Sequence, residues 1–369
     1  RWHNQIYCTT RKRISYSYTI LINISESVQT ELIFRRQIMK ASQMAFSLLL
    51  FIFFGMKTVF SQPIQVIQND ETIYTTAISY NGTILLAGGL HATLWDSHTG
   101  EKLKTIPDFS ATCSAISHDN QLLAAAASSH AITIWSLDSG EKIKTLKERD
   151  YPSTGPDHFT AIAFMKTNDF IITGKENGNL AIWDINLERE IDHDYIHIGA
   201  TIQSIEMSSD NNIFLVGTEF DAFLFSTSPF QFLHHFEGIA AMVSPDGRSV
   251  NIIKGFGDYS RIQLWDAQTG ELKSSSPAFN RPANKAKMSR NTYFTVYWNN
   301  ESINSPIHLQ NNHDLKIVNT IISSESKGLT SPYFFPDSSK LAIIYDNIVE
   351  IYDLENFYSI ANDSEYIKP

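Results

Sequence analysis

From residue 77 to residue 353 the chain repeats one pattern: a run of alternating apolar and polar positions, a short turn, and another such run. The segment ATLWDSHTGEKLKTI at 92–106 recurs as AITIWSLDSGEKIKTL and as RIQLWDAQTGELKSSS. Each copy alternates with period two, ends on Trp95, Trp135 or Trp265, turns through Gly-Glu and alternates again, which predicts an antiparallel hairpin. The same spacing exposes weaker copies: LAIWDINLEREI with Trp183, AFLFSTSPFQFL with Phe225 in the tryptophan slot, IHLQNNHDLKIV with Gln310, and VEIYDLENF with Tyr352. The seven slots lie 40, 48, 42, 40, 45 and 42 residues apart.

Upstream of each slot sits a second strand-turn-strand unit, such as AISYNGTILLAGG, AISHDNQLLAAAA or SIEMSSDNNIFLVG. Its turns are rich in Asn, Asp, Gly and Ser, which accept a left-handed backbone or bond their own main chain. Four short strands per repeat predict an all-β chain folded as a seven-bladed β-propeller of four-stranded antiparallel blades. Stacking radial sheets buries both apolar faces and leaves only short edges.

The endings Trp95-Asp96, Trp183-Asp184 and Trp265-Asp266, with Ser-Pro-Asp-Gly at 244–247, resemble the WD-repeat β-propeller family over nearly all of residues 62–369. The Gly-His pair that opens repeats in that family is missing, and Asp157-His158 is its nearest echo. The resemblance therefore implies a divergent member, with apolar rather than hydrogen-bonded contacts between blades. It also implies a ring closed by an N-terminal strand, here PIQVIQ at 63–68, pairing with the last repeat. Residues 357–361 are the competing closing strand.

Residues 1–38 carry neither periodicity and are expected to lie outside the fold. From Met39 the sequence MKASQMAFSLLLFIFFGMKTVFSQ has an apolar centre at 44–54, with Val59 and Ser61 before a cut. This predicts a signal peptide at 39–61. The apolar run falls well short of the roughly 18 residues that span a bilayer, and Lys57 interrupts it, so a membrane anchor is the weaker reading. The expected product begins near Gln62, is periplasmic or extracellular, and does not insert in the membrane.

Charge then narrows the partners. The whole chain carries −10. Residues 1–61 hold 8 of the 29 Lys and Arg and 2 of the 39 Asp and Glu, which leaves 21 against 37, a net of −16. So acidic a body repels phosphate backbones and anionic lipid, and suits a basic protein or a cation. Of Cys8 and Cys113 only the second lies past the predicted cut, and it reads as a small buried hydrophobe.

No GxSxG, P-loop, HExxH or CxxC motif is present, and no cofactor is expected. The DHDYIH run brings Asp192, His193, Asp194 and His197 together as ligand types for a metal. Residues four apart on a strand nevertheless lie roughly 13 Å apart, too far for one ion. Asp96, Asp184, Asp266 and Asp353 recur once per repeat, which points to a turn role.

Two insertions fall in loops that share one rim of a propeller: KERDYPSTGPDHF at 147–159 and YWNNESINS at 297–305. Tyr151 beside Asp150, and Trp298 near Asn300, are large aromatics in polar loops, suited to anchor a partner. Local packing of Trp298 beneath its own loop is the rival reading. The function that follows is a monomeric, non-catalytic interaction scaffold. The alternative is an exported propeller hydrolase or oxidoreductase with a metal or cofactor on the axis, for which Glu206 is nearly the only acidic inner-strand candidate.

Overall fold

Each tight turn carries the residue its geometry demands. Asn120, Asn168 and Asn211 sit at φ of 59°, 59° and 63° between the first and second strands of their repeats, where a left-handed backbone favours Asn or Gly. Between third and fourth strands, Gly270 has φ 69°, and a Cβ there would fall 2.5 Å from His234 Nδ1. The recurring aspartates close the same turns. Asp96 Oδ1 accepts the N–H groups of His98 and Thr99, both at 2.8 Å. Asp184 does so for Asn186 and Leu187, and Asp266 for Gln268 and Thr269. Bonds from Thr99 and His98 to the ionised carboxyl hold Asp96 below the usual range.

The computed structural model describes residues 62–126, 131–147, 158–191, 196–238, 240–256, 259–280, 285–298, 306–312, 315–321, 329–355 and 357, all within the unit Val59–Pro369. These form seven antiparallel sheets, a seven-bladed β-propeller. Blade one runs Thr75–Ile78, Ile84–Gly88, Ala92–Asp96 and Lys102–Ile106, each strand pairing the next. Blade three differs at its outer edge, where Arg189–Glu190 and Ile196–His197 each pair with Asn179–Asp184. Blade five carries Phe279–Asn280 beside Leu272–Ser275.

The N-terminal strand closes the ring. Gln65–Gln68 pairs with Ile348–Asp353, from Gln65 opposite Ile351 to Gln68 opposite Ile348. Ile64 N–H donates to Ile351 O and Asn69 N–H to Asn347 O, both at 2.8 Å. The edge for which residues 357–361 competed is thus taken by Gln65–Gln68; Phe357 is buried in the seam between blades six and seven, and residues 358–361 lie outside the described residues.

Seven clusters of buried apolar side chains are found among the described residues, one at each seam between neighbouring blades. The tryptophan slot explains itself here. Trp95 packs against blade seven, Trp135 against blade one, Trp183 against blade two, Phe225 against blade three and Tyr352 against blade six. Each slot residue thus welds its blade to the preceding one. Gln310, in the slot of blade six, is buried with no partner for Nε2, and the seam of blades five and six has the smallest cluster: Met242, Ile253, Met288 and Tyr297. Cys113 lies in the seam of blades two and three, where burial pushes its thiol up to about 12.

The expectation of apolar rather than hydrogen-bonded contacts between blades needs correction: Thr75 Oγ1 lies 3.0 Å from Ser114 Oγ, and Thr112 Oγ1 donates to Phe159 O at 2.7 Å. Within blade three, Trp183 Nε1 donates to Thr173 Oγ1 at 2.8 Å. Thr173 stands two residues beyond Ile171, the cross-strand partner of Trp183. The matching positions in blades one and five are Ala87 and Ile252, so Trp95 Nε1 and Trp265 Nε1 find no acceptor among the described residues. Between blades, a polar belt also links the first-to-second-strand turns. Tyr80, His118 and Lys166 donate their N–H to Oδ1 of Asn120, Asn168 and Asn211 at 2.9, 3.1 and 2.8 Å. Ser209 N–H finds Pro245 O at 2.9 Å, since the next blade has Gly247 where an asparagine would accept. In blades five and seven the donor position is Pro245 or Pro336, which has no N–H to satisfy. Replacing Thr173 by Val should lower stability by about 1–3 kcal/mol, because a buried indole N–H loses its acceptor at little change in volume. Denaturant melts of Thr173→Val against Thr173→Ser read this directly, and equal midpoints would assign the bond no weight.

Candidate functional site

Antiparallel order places the second-to-third-strand turns and the links between blades on one face of the ring, and the other turns on the opposite face. On the first face four large apolar side chains stand in the open: Tyr74, Leu90, Phe220 and Tyr259, at 62%, 65%, 62% and 54% exposure. Carboxylates share this face, two of them paired: Lys285 Nζ lies 3.3 Å from Glu219 and Lys254 Nζ 2.7 Å from Glu237. Glu219 precedes Phe220 and is exposed, as is Asp108, while Glu71, Glu176 and Asp346 are half-buried on the same face. Glu71 Oε2 accepts Leu90 N–H and His91 N–H, each at 3.1 Å, which fixes the turn that presents Leu90. Gly238 N–H donates to Phe220 O at 2.7 Å, doing the same for Phe220.

The residues picked from the sequence fare differently. Tyr151, Asp150 and Asn300 lie outside the described residues, which break off at Lys147 and resume at His158. Trp298 ends the second strand of blade six opposite Lys285, half-buried against the cluster shared with blade seven. Of the metal-ligand run, His193 and Asp194 are also outside the described residues. His197 is exposed, with Nδ1 3.1 Å from Asn179 Oδ1. Among the described residues no three His, Cys, Asp or Glu side chains group as metal ligands. The exposed tips Leu90, Phe220 and Tyr259 escaped notice, yet they left a signal: large apolar residues in turns where Gly, Asn or Asp are usual.

A second candidate lies on the axis, where the inner strands line a cavity of about 280 Å³. Register defines one layer of it, the residue before each inner-strand partner of the slot pair. Blades one to three contribute Ala77, Ala115 and Ala163. Blades four to seven contribute Glu206, Met242, Lys287 and Tyr333. Lys287 Nζ lies 4.2 Å from the centre of the Tyr333 ring. Burial pushes the Lys287 ammonium below its ordinary range, and the charge of Glu206 acts the other way. At the turn level Arg290 donates to Met207 O at 2.9 Å and lies over the Tyr80 ring, 5.6 Å from its centre. That ring is 5.0 Å from His118, whose imidazole burial and the Arg290 and Lys166 charges hold toward the neutral form. Glu206 was foreseen on the axis; Lys287 and Tyr333 were not.

Comparison with known proteins agrees with this architecture. The model of the WD domain, G-beta repeat, matches residues 143–184. That stretch runs from the outer strand of blade two to Trp183-Asp184 in blade three, and it contains the one tryptophan seen bonded to a hydroxyl. The chain is also 28% identical, over 138 residues and 35% of its length, to eukaryotic translation initiation factor 3 subunit I of Anopheles gambiae. The match spans 42% of that relative, so less than half of its length is represented.

Proposed function

We propose that this chain, a WD-repeat β-propeller, is an exported, non-catalytic scaffold that binds a basic protein through the face carrying Leu90 and Phe220. WD-repeat propellers typically bind protein partners. The observation that carries the reading is the set of open apolar tips standing among carboxylates on one face. Apolar anchors in an acidic surround suit a partner with apolar side chains and Lys or Arg at its rim. The proposal extends to Tyr151 with Asp150 and to Trp298 with Asn300, which the sequence singled out in its two insertions. Export is supported by the apolar centre and small-residue cut within 39–61.

The test uses the full chain expressed in a secreting host. The released product should begin near Gln62 and retain a basic partner on affinity capture. Phe220→Ala, Leu90→Ala and Tyr151→Ala should each weaken capture by about tenfold or more while the melting temperature holds, as expected of anchors truncated at an interface centre. Charge reversal at Glu219→Lys should slow association most at low salt. Unaltered capture by all four variants would refute the face assignment, and a product retained whole in the membrane would refute export. For Trp298→Ala, lost stability with unaltered capture would place that ring in the blade packing.

A further inference from the structure

The axial layer is lopsided. Three alanine methyl groups from blades one to three leave the cavity hollow on that side, while Glu206, Met242, Lys287 and Tyr333 crowd the other. Glu206 and Lys287 face the same space from blades four and six, with the Met242 side chain between them. Neither makes an ion pair or hydrogen bond among the described residues; the ammonium stands over the face of Tyr333 and feels the charge of Glu206. The Arg290 guanidinium is already held by Met207 O and Tyr80. Opposite charges that line one cavity, both half-buried, offer one ligand a cationic and an anionic partner.

A lone carboxylate would satisfy Lys287 and be repelled by Glu206, and a lone amine would meet the reverse. A dipolar ion satisfies both. We propose that the axial cavity binds a free α-amino acid, its carboxylate on Lys287, its ammonium on Glu206, and its side chain in the hollow over Ala77, Ala115 and Ala163. The volume of about 280 Å³ lies at the small end of ligand pockets and suits so small a molecule. This site is separate from the proposed protein-binding face and stands or falls without it.

Titration calorimetry on the purified full chain decides the matter, with free leucine, methionine and phenylalanine as probes, each beside its N-acetyl and its amide derivative. At least one free amino acid should bind, and both derivatives of it should bind about tenfold more weakly or worse, since each leaves one charge without its partner. In Lys287→Met the amide should bind as well as the free acid. In Glu206→Gln the N-acetyl form should do so. Melting temperatures of both variants show that the ring is intact. Absence of binding by all three free amino acids, or derivatives that bind the wild-type chain as well as their parents, would overturn the proposal.

Discussion

Deletion of residues 62–68 should lower stability by several kcal/mol and make the protein prone to self-association. The strand Gln65–Gln68 supplies a whole sheet edge to Ile348–Asp353. Its Ile67 is 1% exposed within the seam of blades seven and one. Full burial of such a side chain contributes about 1.5–3 kcal/mol, and each lost ladder bond adds about 1 kcal/mol. Asn69, which donates its N–H to Asn347 O and accepts from Asn347 Nδ2 at 3.1 Å, would then hold the N-terminal end together with Thr72 and Ile73, which bond Asp346. The bared edge is a template for another chain. Ile67→Asp separates the two contributions, because it keeps the strand and puts an unpaired charge in the seam. Denaturant midpoints with light scattering measure both effects, and a midpoint unmoved by the deletion would show that the ring closes without this strand.

Trp183→Ala should cost about 3–5 kcal/mol, the usual range for truncating a buried tryptophan. Trp183 is fully buried, packs edge-on against Phe159 with ring centres 6.3 Å apart, and bonds Thr173. Its cluster joins blades two and three, so the cavity opens in a seam and weakens two blades together. Trp183→Phe should cost clearly less, since it keeps much of the apolar volume and loses mainly the indole bond. Gln310 gives the natural contrast: blade six lives with an amide in the same slot, at the seam with the smallest apolar cluster. A loss below about 1 kcal/mol for Trp183→Ala in urea would mean that the seam collapses around the gap.

Much of this architecture is local and therefore readable in one dimension. Period-two alternation, Gly at positive φ and the Trp-Asp endings are properties of a few consecutive residues, and they determined seven blades, the turns and the slot residues without any coordinates. The closing strand was legible only through the resemblance, which implies that an N-terminal strand such as PIQVIQ completes the last repeat; residues 357–361 competed with it until the pairing of Gln65–Gln68 with Ile348–Asp353 decided. The polar belt was half legible: the asparagines were visible as turn formers, but their bonds run to the next blade, a repeat away.

The rest depends on register between distant segments. Nothing near Lys287 in the chain says that it shares a layer with Glu206, Tyr333 and three alanines; that follows only when seven inner strands are set side by side around an axis. A shift of one residue in any inner strand would have turned its neighbour toward the cavity instead. The exposure of Phe220 and Leu90 is likewise a matter of what does not pack over them. Sequence by itself determined the repeat, because alternation and turn chemistry act within a blade. Tertiary structure alone decided which side chains meet on the axis and which stand open on the face, because those contacts join residues tens to hundreds of positions apart.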